Sequence, residues 1–208
     1  MYPGDGYGSV NTGKRQEILI PSNAPALSTI TQIVSAGDAT GDGKPDFFMT
    51  VGDTLWAFLG YNGATVSEAR MVASSAWTDR DLVAVQDIGG DGVADIIYRT
   101  GTGGRLLLRT GIKDPATGGV DLVSLASAAA SSGGADVEYV SSGWSTTTVR
   151  LVFGTPDVNG DGIPDIWAVR TDGTVRFYPG GRTALTSAGT QIVSNSDGKG
   201  WKYKMAIG

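Results

Sequence analysis

The chain contains neither cysteine nor histidine, and that double absence removes much chemistry. No thiolate nucleophile, disulfide, imidazole base or Ser-His-Asp arrangement is on offer. Charge is sparse: 16 Lys and Arg against 21 Asp and Glu leave a net charge of −5. The basic residues form no patch, so no nucleic-acid partner is expected. No apolar run approaches about eighteen residues, so no membrane span is expected either. Met1 is followed by YPGDGYGS rather than by a basic and then apolar segment, so no signal peptide is read here. What the chain has in plenty is glycine, 32 of 208 residues, which marks a turn-dense all-β chain. With 40% apolar residues, 1–208 reads as one domain with its own core.

One acidic nonapeptide occurs three times, as DATGDGKPD (38–46), DIGGDGVAD (87–95) and DVNGDGIPD (157–165). Carboxylates stand at positions 1, 5 and 9 of each copy: Asp38, Asp42, Asp46; Asp87, Asp91, Asp95; Asp157, Asp161, Asp165. Position 3 is Thr40, Gly89 or Asn159, and position 6 is glycine, which permits the tight curl that lets alternate oxygens converge. Hard oxygen donors select calcium over transition metals, so up to three structural Ca2+ ions are expected. An EF-hand is excluded, because position 12 is Met49, Tyr98 or Ala168 where it needs a bidentate Glu. A solvated turn explains one such loop, but not three in register. Ligand count ranks the third loop tightest, then the first, then the second, whose Gly89 brings no side-chain oxygen. Nine of the 21 acidic residues sit in the loops, so calcium would leave a nearly neutral surface. Loops of such modest charge suit extracellular millimolar calcium, hence an exported protein.

The self-similarity extends beyond the loops. Each is followed by a strand-like run (DFFMTVG, DIIYRTG, DIWAVRTDG), a Gly/Asp/Thr turn and a second run (LWAFLG, RLLLRTG, VRFYPG). A third run comes next, such as 69–72 or 190–193, then a Ser/Gly-rich link with Trp77, Trp144 or Trp201, then a fourth run entering the next loop. Four short strands per unit is the cadence of a β-propeller blade. Asp38 and Asp87 are 49 residues apart and Asp87 and Asp157 are 70 apart, so the second unit carries about 21 extra residues, against a usual blade of about 40–50. That surplus, about 114–143, reads as a surface insertion or extra hairpin, with a weakly signalled helix at 125–130. The ends read as partial blades: an outer strand near 16–20, and an inner strand near 202–207. Three full repeats with partial blades at both ends leave bare strand edges, so either copies associate or further blades complete the ring.

A carboxylate pair acting on a glycoside is the remaining catalytic option, but the acids outside the loops stand mostly in turns. Asp79 with Asp81, and Asp136 with Glu138, read as solvated edge charges. The chain is not expected to be an enzyme. Trp77, Trp144 and Trp201 hold equivalent link positions and suit either packing between units or presenting an indole face to a sugar. Repetition favours packing; they are nonetheless the candidate ligand-facing aromatics.

The loops, the four-strand cadence and the tryptophan link together resemble the FG-GAP (integrin α-type, VCBS-like) propeller repeat, from about Gln32 to Gly208. The resemblance implies a structural calcium loop between the first and second strands of a blade. It implies as ligands Asp38, Thr40, Asp42 and Asp46 with the Lys44 carbonyl; Asp87, Asp91 and Asp95 with the Val93 carbonyl; and Asp157, Asn159, Asp161 and Asp165 with the Ile163 carbonyl. Gly89 and the second-unit insertion depart from the pattern. Members serve as adhesion modules, lectins or accessory domains of secreted enzymes. The expectation is therefore a calcium-stabilised, non-catalytic recognition module, with a lean toward carbohydrate and an extracellular protein as the other partner. The alternative is an accessory domain of a larger secreted enzyme, with no ligand of its own.

Overall fold

The computed structural model describes residues 2–7, 9–101, 103–193 and 201–203. Among these described residues, twelve strands form three four-stranded antiparallel sheets, each a simple up-and-down run in chain order. Sheet one holds β1 (Ile30–Gly37), β2 (Asp46–Val51), β3 (Thr54–Leu59) and β4 (Glu68–Ala73). Sheet two holds β5 (Arg80–Gln86), β6 (Asp95–Thr100), β7 (Leu106–Arg109) and β8 (Val137–Val140). Sheet three holds β9 (Val149–Thr155), β10 (Asp165–Arg170), β11 (Val175–Tyr178) and β12 (Thr190–Val193). The β-branched and aromatic runs thus form strands where a half-buried pleat accepts them, and their turns carry glycines such as Gly52 at φ 55°.

Period-two alternation gives each central strand two apolar faces. Phe48, Leu55 and Ala57 of sheet one pack with Leu82, Ile96 and Tyr98 of sheet two. The opposite face of sheet two sends Ile97, Leu106 and Leu108 against Ile166, Ala168 and Tyr178 of sheet three. Burying each of these Leu, Ile and Phe side chains stabilises by about 1.5–3 kcal/mol. The first strands lie side by side. Gln32 on β1 accepts from the Leu82 amide on β5 at 2.8 Å and donates to Asp81 at 3.2 Å. Gly154 on β9 lies so near β5 that a Cβ there would meet the Ala84 Cβ at 2.5 Å.

Several features differ from the sequence reading. Segment 16–20 is no strand of a preceding blade: no strand precedes Ile30 among the described residues. Leu19 instead makes an isolated parallel bridge to Thr65, and Ile18, Ile20 and Ala24 cover the outer face of sheet one at Met49, Phe58 and Val66. That face is apolar, so the nearest apolar stretch seals it. The inner strand placed near 202–207 lies mostly outside the described residues; Trp201–Tyr203 is a 3-10 turn. The second-unit surplus opens on a tight antiparallel turn, with Lys113 bridged to Val120 and the Asp121 amide bonded to the Ile112 carbonyl at 2.8 Å, but it is not confined to the surface. It ends in β8, the outer strand of sheet two, and its two 3-10 turns are Leu122–Leu125 and Ala128–Ala130. Val120, Leu122 and Leu125 enter the core between sheets one and two.

Two of the supposed edge charges, Asp81 and Asp136, are closely ion-paired. Asp81 receives Arg99. Asp136 receives the Arg109 guanidinium through two bonds of 2.8 and 2.9 Å. Turn residue Asp53 reaches across to the tryptophan link, accepting from the Trp77 and Thr78 amides and the Thr78 hydroxyl at 2.8, 3.0 and 2.9 Å. These bonds, those of Thr78 foremost, hold its pKa down to about 2. A folded pKa below the unfolded value of about 3.9 means that Asp53 supports the fold fully above roughly pH 4 and loses that support as pH falls toward 2. Asp53→Asn should flatten this part of the acid-unfolding curve. An NMR titration placing Asp53 at an ordinary carboxylate pKa in the folded protein would refute the assignment.

Candidate functional site

The three acidic loops occupy one topological place. Each leaves the first strand of a sheet and ends on an aspartate that opens the second, with Gly37 facing Asp46, Gln86 facing Asp95 and Thr155 facing Asp165. Their internal geometry is the same three times over. The position-1 carboxylate accepts the amides of positions 4, 5 and 6. Those distances are 2.8, 3.0 and 2.8 Å at Asp38, 2.6, 3.1 and 2.9 Å at Asp87, and 2.7, 3.1 and 2.7 Å at Asp157. The position-5 carboxylate accepts the position-7 amide, pairing Asp42 with Lys44, Asp91 with Val93 and Asp161 with Ile163 at 2.9–3.0 Å.

Position 9 closes each loop. One oxygen of Asp95 or Asp165 accepts the amides of loop positions 2 and 3, and that of Asp46 accepts the amide and the hydroxyl of Thr40 at position 3. The other accepts an amide just past the third strand, from Gly60, Gly111 or Gly180, at 2.8, 2.9 and 2.9 Å. These aspartates are buried, at 0, 2 and 1% exposure. Burial pushes the Asp46 carboxyl up and the Asp95 carboxyl up to about 6, against the pull of their amide donors. At the exposed first position the balance reverses: amide bonds, Gly162 foremost, hold Asp157 down.

Two glycine sets went unassigned in the sequence reading. Position 4 (Gly41, Gly90, Gly160) has φ of 78–83°, as position 6 does at 80–81°, a left-handed region that favours glycine. The signal was visible as an invariant G at both places in the three copies. The glycine after each third strand was visible too, in LWAFLG, RLLLRTG and VRFYPG, but nothing local tells that its amide meets a distant aspartate.

The structure brings together Thr40 with Asp46 and Asn159 with Asp161, the latter at 2.9 Å. It does not converge the carboxylates: among the described residues no three acidic side chains form a metal-holding group. Like charges separate and turn to amide donors instead. The donor set nonetheless fits a hard cation. It is all oxygen, and a carboxylate offers about four lone-pair sites, of which the position-5 residues use the fewest. The glycines at positions 4 and 6 of each loop give the chain the freedom to draw these oxygens together. The Lys44, Val93 and Ile163 carbonyls stand at loop position 7.

Two of the three candidate ligand-facing tryptophans are buried in packing between sheets. Trp77 and Trp144 are 1 and 6% exposed, wedged against Tyr98 and Tyr178 with ring centroids 5.6 and 4.8 Å apart. The repeated position serves the repeated packing of sheet on sheet. Trp201 is half-buried, and its carbonyl accepts from Arg150 at 3.1 Å. No helix among the described residues is long and apolar enough to cross a membrane. No family model, curated protein or solved structure matches the chain.

Proposed function

We propose that this chain is a calcium-stabilised, non-catalytic recognition module of the β-propeller type, with the three sheets as consecutive blades, working outside the cell. The observation that carries the reading is the threefold recurrence of the acidic loops, in their shared hydrogen bonds as well as in sequence. Supporting it, every loop joins the first and second strands of its sheet, and the first strands neighbour one another as strands around a propeller axis would. Calcium would be held by the oxygens of Asp38, Thr40, Asp42 and Asp46; of Asp87, Asp91 and Asp95; and of Asp157, Asn159, Asp161 and Asp165. Bound there, it would neutralise converging carboxylates and fix the turn between two strands.

Burial of Trp77 and Trp144 removes the stacking surfaces that favoured a sugar, so we assign the ligand to the polar loop surfaces and to an extracellular protein first. Neither His nor Cys is present for catalysis. A glycan array and an affinity pull-down from secreted proteins, both run with calcium and with EDTA, test this. The expected result is a calcium-dependent protein partner. Glycan hits with no protein partner would restore the carbohydrate reading, and silence in both would leave the accessory-domain role.

A further inference from the structure

In sheets one and two, the carbonyl at the second loop position is taken by the connection that follows the third strand of the next sheet. For the first loop the donor is a backbone amide, Val120 to the Ala39 carbonyl at 2.8 Å. For the second it is a side chain: Arg182 Nη1 donates to the Ile88 carbonyl at 3.2 Å. The same guanidinium goes further, since its Nη2 donates to the Gly162 carbonyl of the third loop, also at 3.2 Å. One planar fork therefore holds two acidic loops that lie far apart in sequence.

Each accepting carbonyl belongs to a peptide group whose N–H points the other way, at a candidate ligand. The Gly89 amide, in the peptide of the Ile88 carbonyl, donates to Asp95 Oδ2 at 2.9 Å. The Ile163 amide, in the peptide of the Gly162 carbonyl, donates to Asp161 Oδ1 at 2.9 Å. A cation on the carbonyl side polarises a peptide and strengthens its N–H as a donor. Arg182 thus acts on one carboxylate in each loop through a single intervening peptide. Its own backbone is held in place next door. The hydroxyl of buried Tyr139 accepts from the Gly181 amide at 2.9 Å and donates to the Gly181 carbonyl at 2.8 Å. Gly90 leaves the room: a Cβ there would lie 2.1 Å from Arg182 Nη1.

We propose that Arg182 is a positioning residue that couples the second and third loops, so that calcium uptake by either favours uptake by the other. The first loop, buttressed by a backbone amide, stands outside this pair. The inference rests on the calcium reading given above.

Calcium titration of the wild type, Arg182→Met and Arg182→Lys, followed by calorimetry and by the amide resonances of each loop, tests it. In the wild type, loops 87–95 and 157–165 should fill together. Arg182→Met should uncouple them and weaken both by roughly tenfold, the scale of one charge-assisted hydrogen bond, while loop 38–46 is unchanged. Arg182→Lys keeps the charge but has no fork to span both carbonyls, so it should stay uncoupled. Identical titrations for wild type and Arg182→Met overturn the proposal. A wild type that takes up no calcium sinks the calcium reading itself, and hydrogen exchange in EDTA then judges the tether alone. Faster exchange in both tethered loops of Arg182→Met, with 38–46 unchanged, upholds it; unchanged exchange in either tethered loop overturns it.

Discussion

Chelating calcium should lower the melting temperature of this protein by many degrees. A ligand bound only by the folded state adds RT ln(1 + [L]/Kd), about 2.7 kcal/mol per site at a hundredfold excess over Kd. In a domain of this size each kcal/mol moves the melting temperature by about 2–4 °C, so losing even one well-filled site is a large effect. The loops are unequal: the third has Asn159 where the second has Gly89. Asp161→Ala should therefore cost more than Asp91→Ala when calcium is present, and both costs should shrink in EDTA. Asp165→Ala should behave differently. Its carboxylate accepts amides from Val158, Asn159 and Gly180 in part-buried bonds, so its loss costs about 1–3 kcal/mol for each donor that water does not reach, with or without metal. Calorimetry of these variants with and without EDTA separates the metal-holding role from the architectural one. A wild-type melting temperature that ignores EDTA would sink the calcium reading.

The second large effect is expected far from the loops, at Asp136. Arg109 is 1% exposed, and its guanidinium is held by Asp136 and by the Leu125 carbonyl at 3.0 Å and lies 5.4 Å from the Tyr98 ring centroid. Burial alone would raise the Asp136 pKa, but the Arg109 and Tyr98 hydrogen bonds outweigh it and hold the carboxyl below its usual range. Tyr98 is pushed up to about 12, by burial first and then by Asp136. Asp136→Ala strands a buried cation, which costs about 3–5 kcal/mol. Replacing Arg109 by Met in the same chain should recover much of that loss, because the uncompensated charge leaves with it. Urea unfolding of the two single variants and the double variant closes the cycle. A loss below about 1 kcal/mol for Asp136→Ala would show that the guanidinium finds another partner or water.

Residues 38–46 were legible as a loop and 47–51 as a strand because their determinants are local: left-handed glycines, spaced aspartates and β-branched runs. The same holds for the third runs, read at 69–72 and 190–193 and found at Glu68–Ala73 and Thr190–Val193. What stayed hidden depends on partners remote in sequence. Leu122 and Leu125 looked like part of a polar surface insertion, since their burial is set by sheet one. Asp136 and Asp81 looked like solvated charges, since Arg109 and Arg99 approach only after the strands pair. The N-terminal segment resembled a strand tail, yet its apolar residues cover a sheet face without joining a ladder. At the candidate site, the carboxylate spacing was plain from the sequence. The closing amides of Gly60, Gly111 and Gly180 were not, because each arrives from across a sheet.

The buttress at the second loop position gives the chain a direction. The first loop receives its outer support from Val120 and the second from Arg182, in each case a residue of the sheet that follows. As the polypeptide emerges from a ribosome, a sheet would pair its own strands first, and its acidic turn would gain this support only when the next sheet docks. Vectorial synthesis would then let each newly docked repeat lock the turn of the one before it. A chain arrested between repeats would carry one newly formed turn still waiting for its lock.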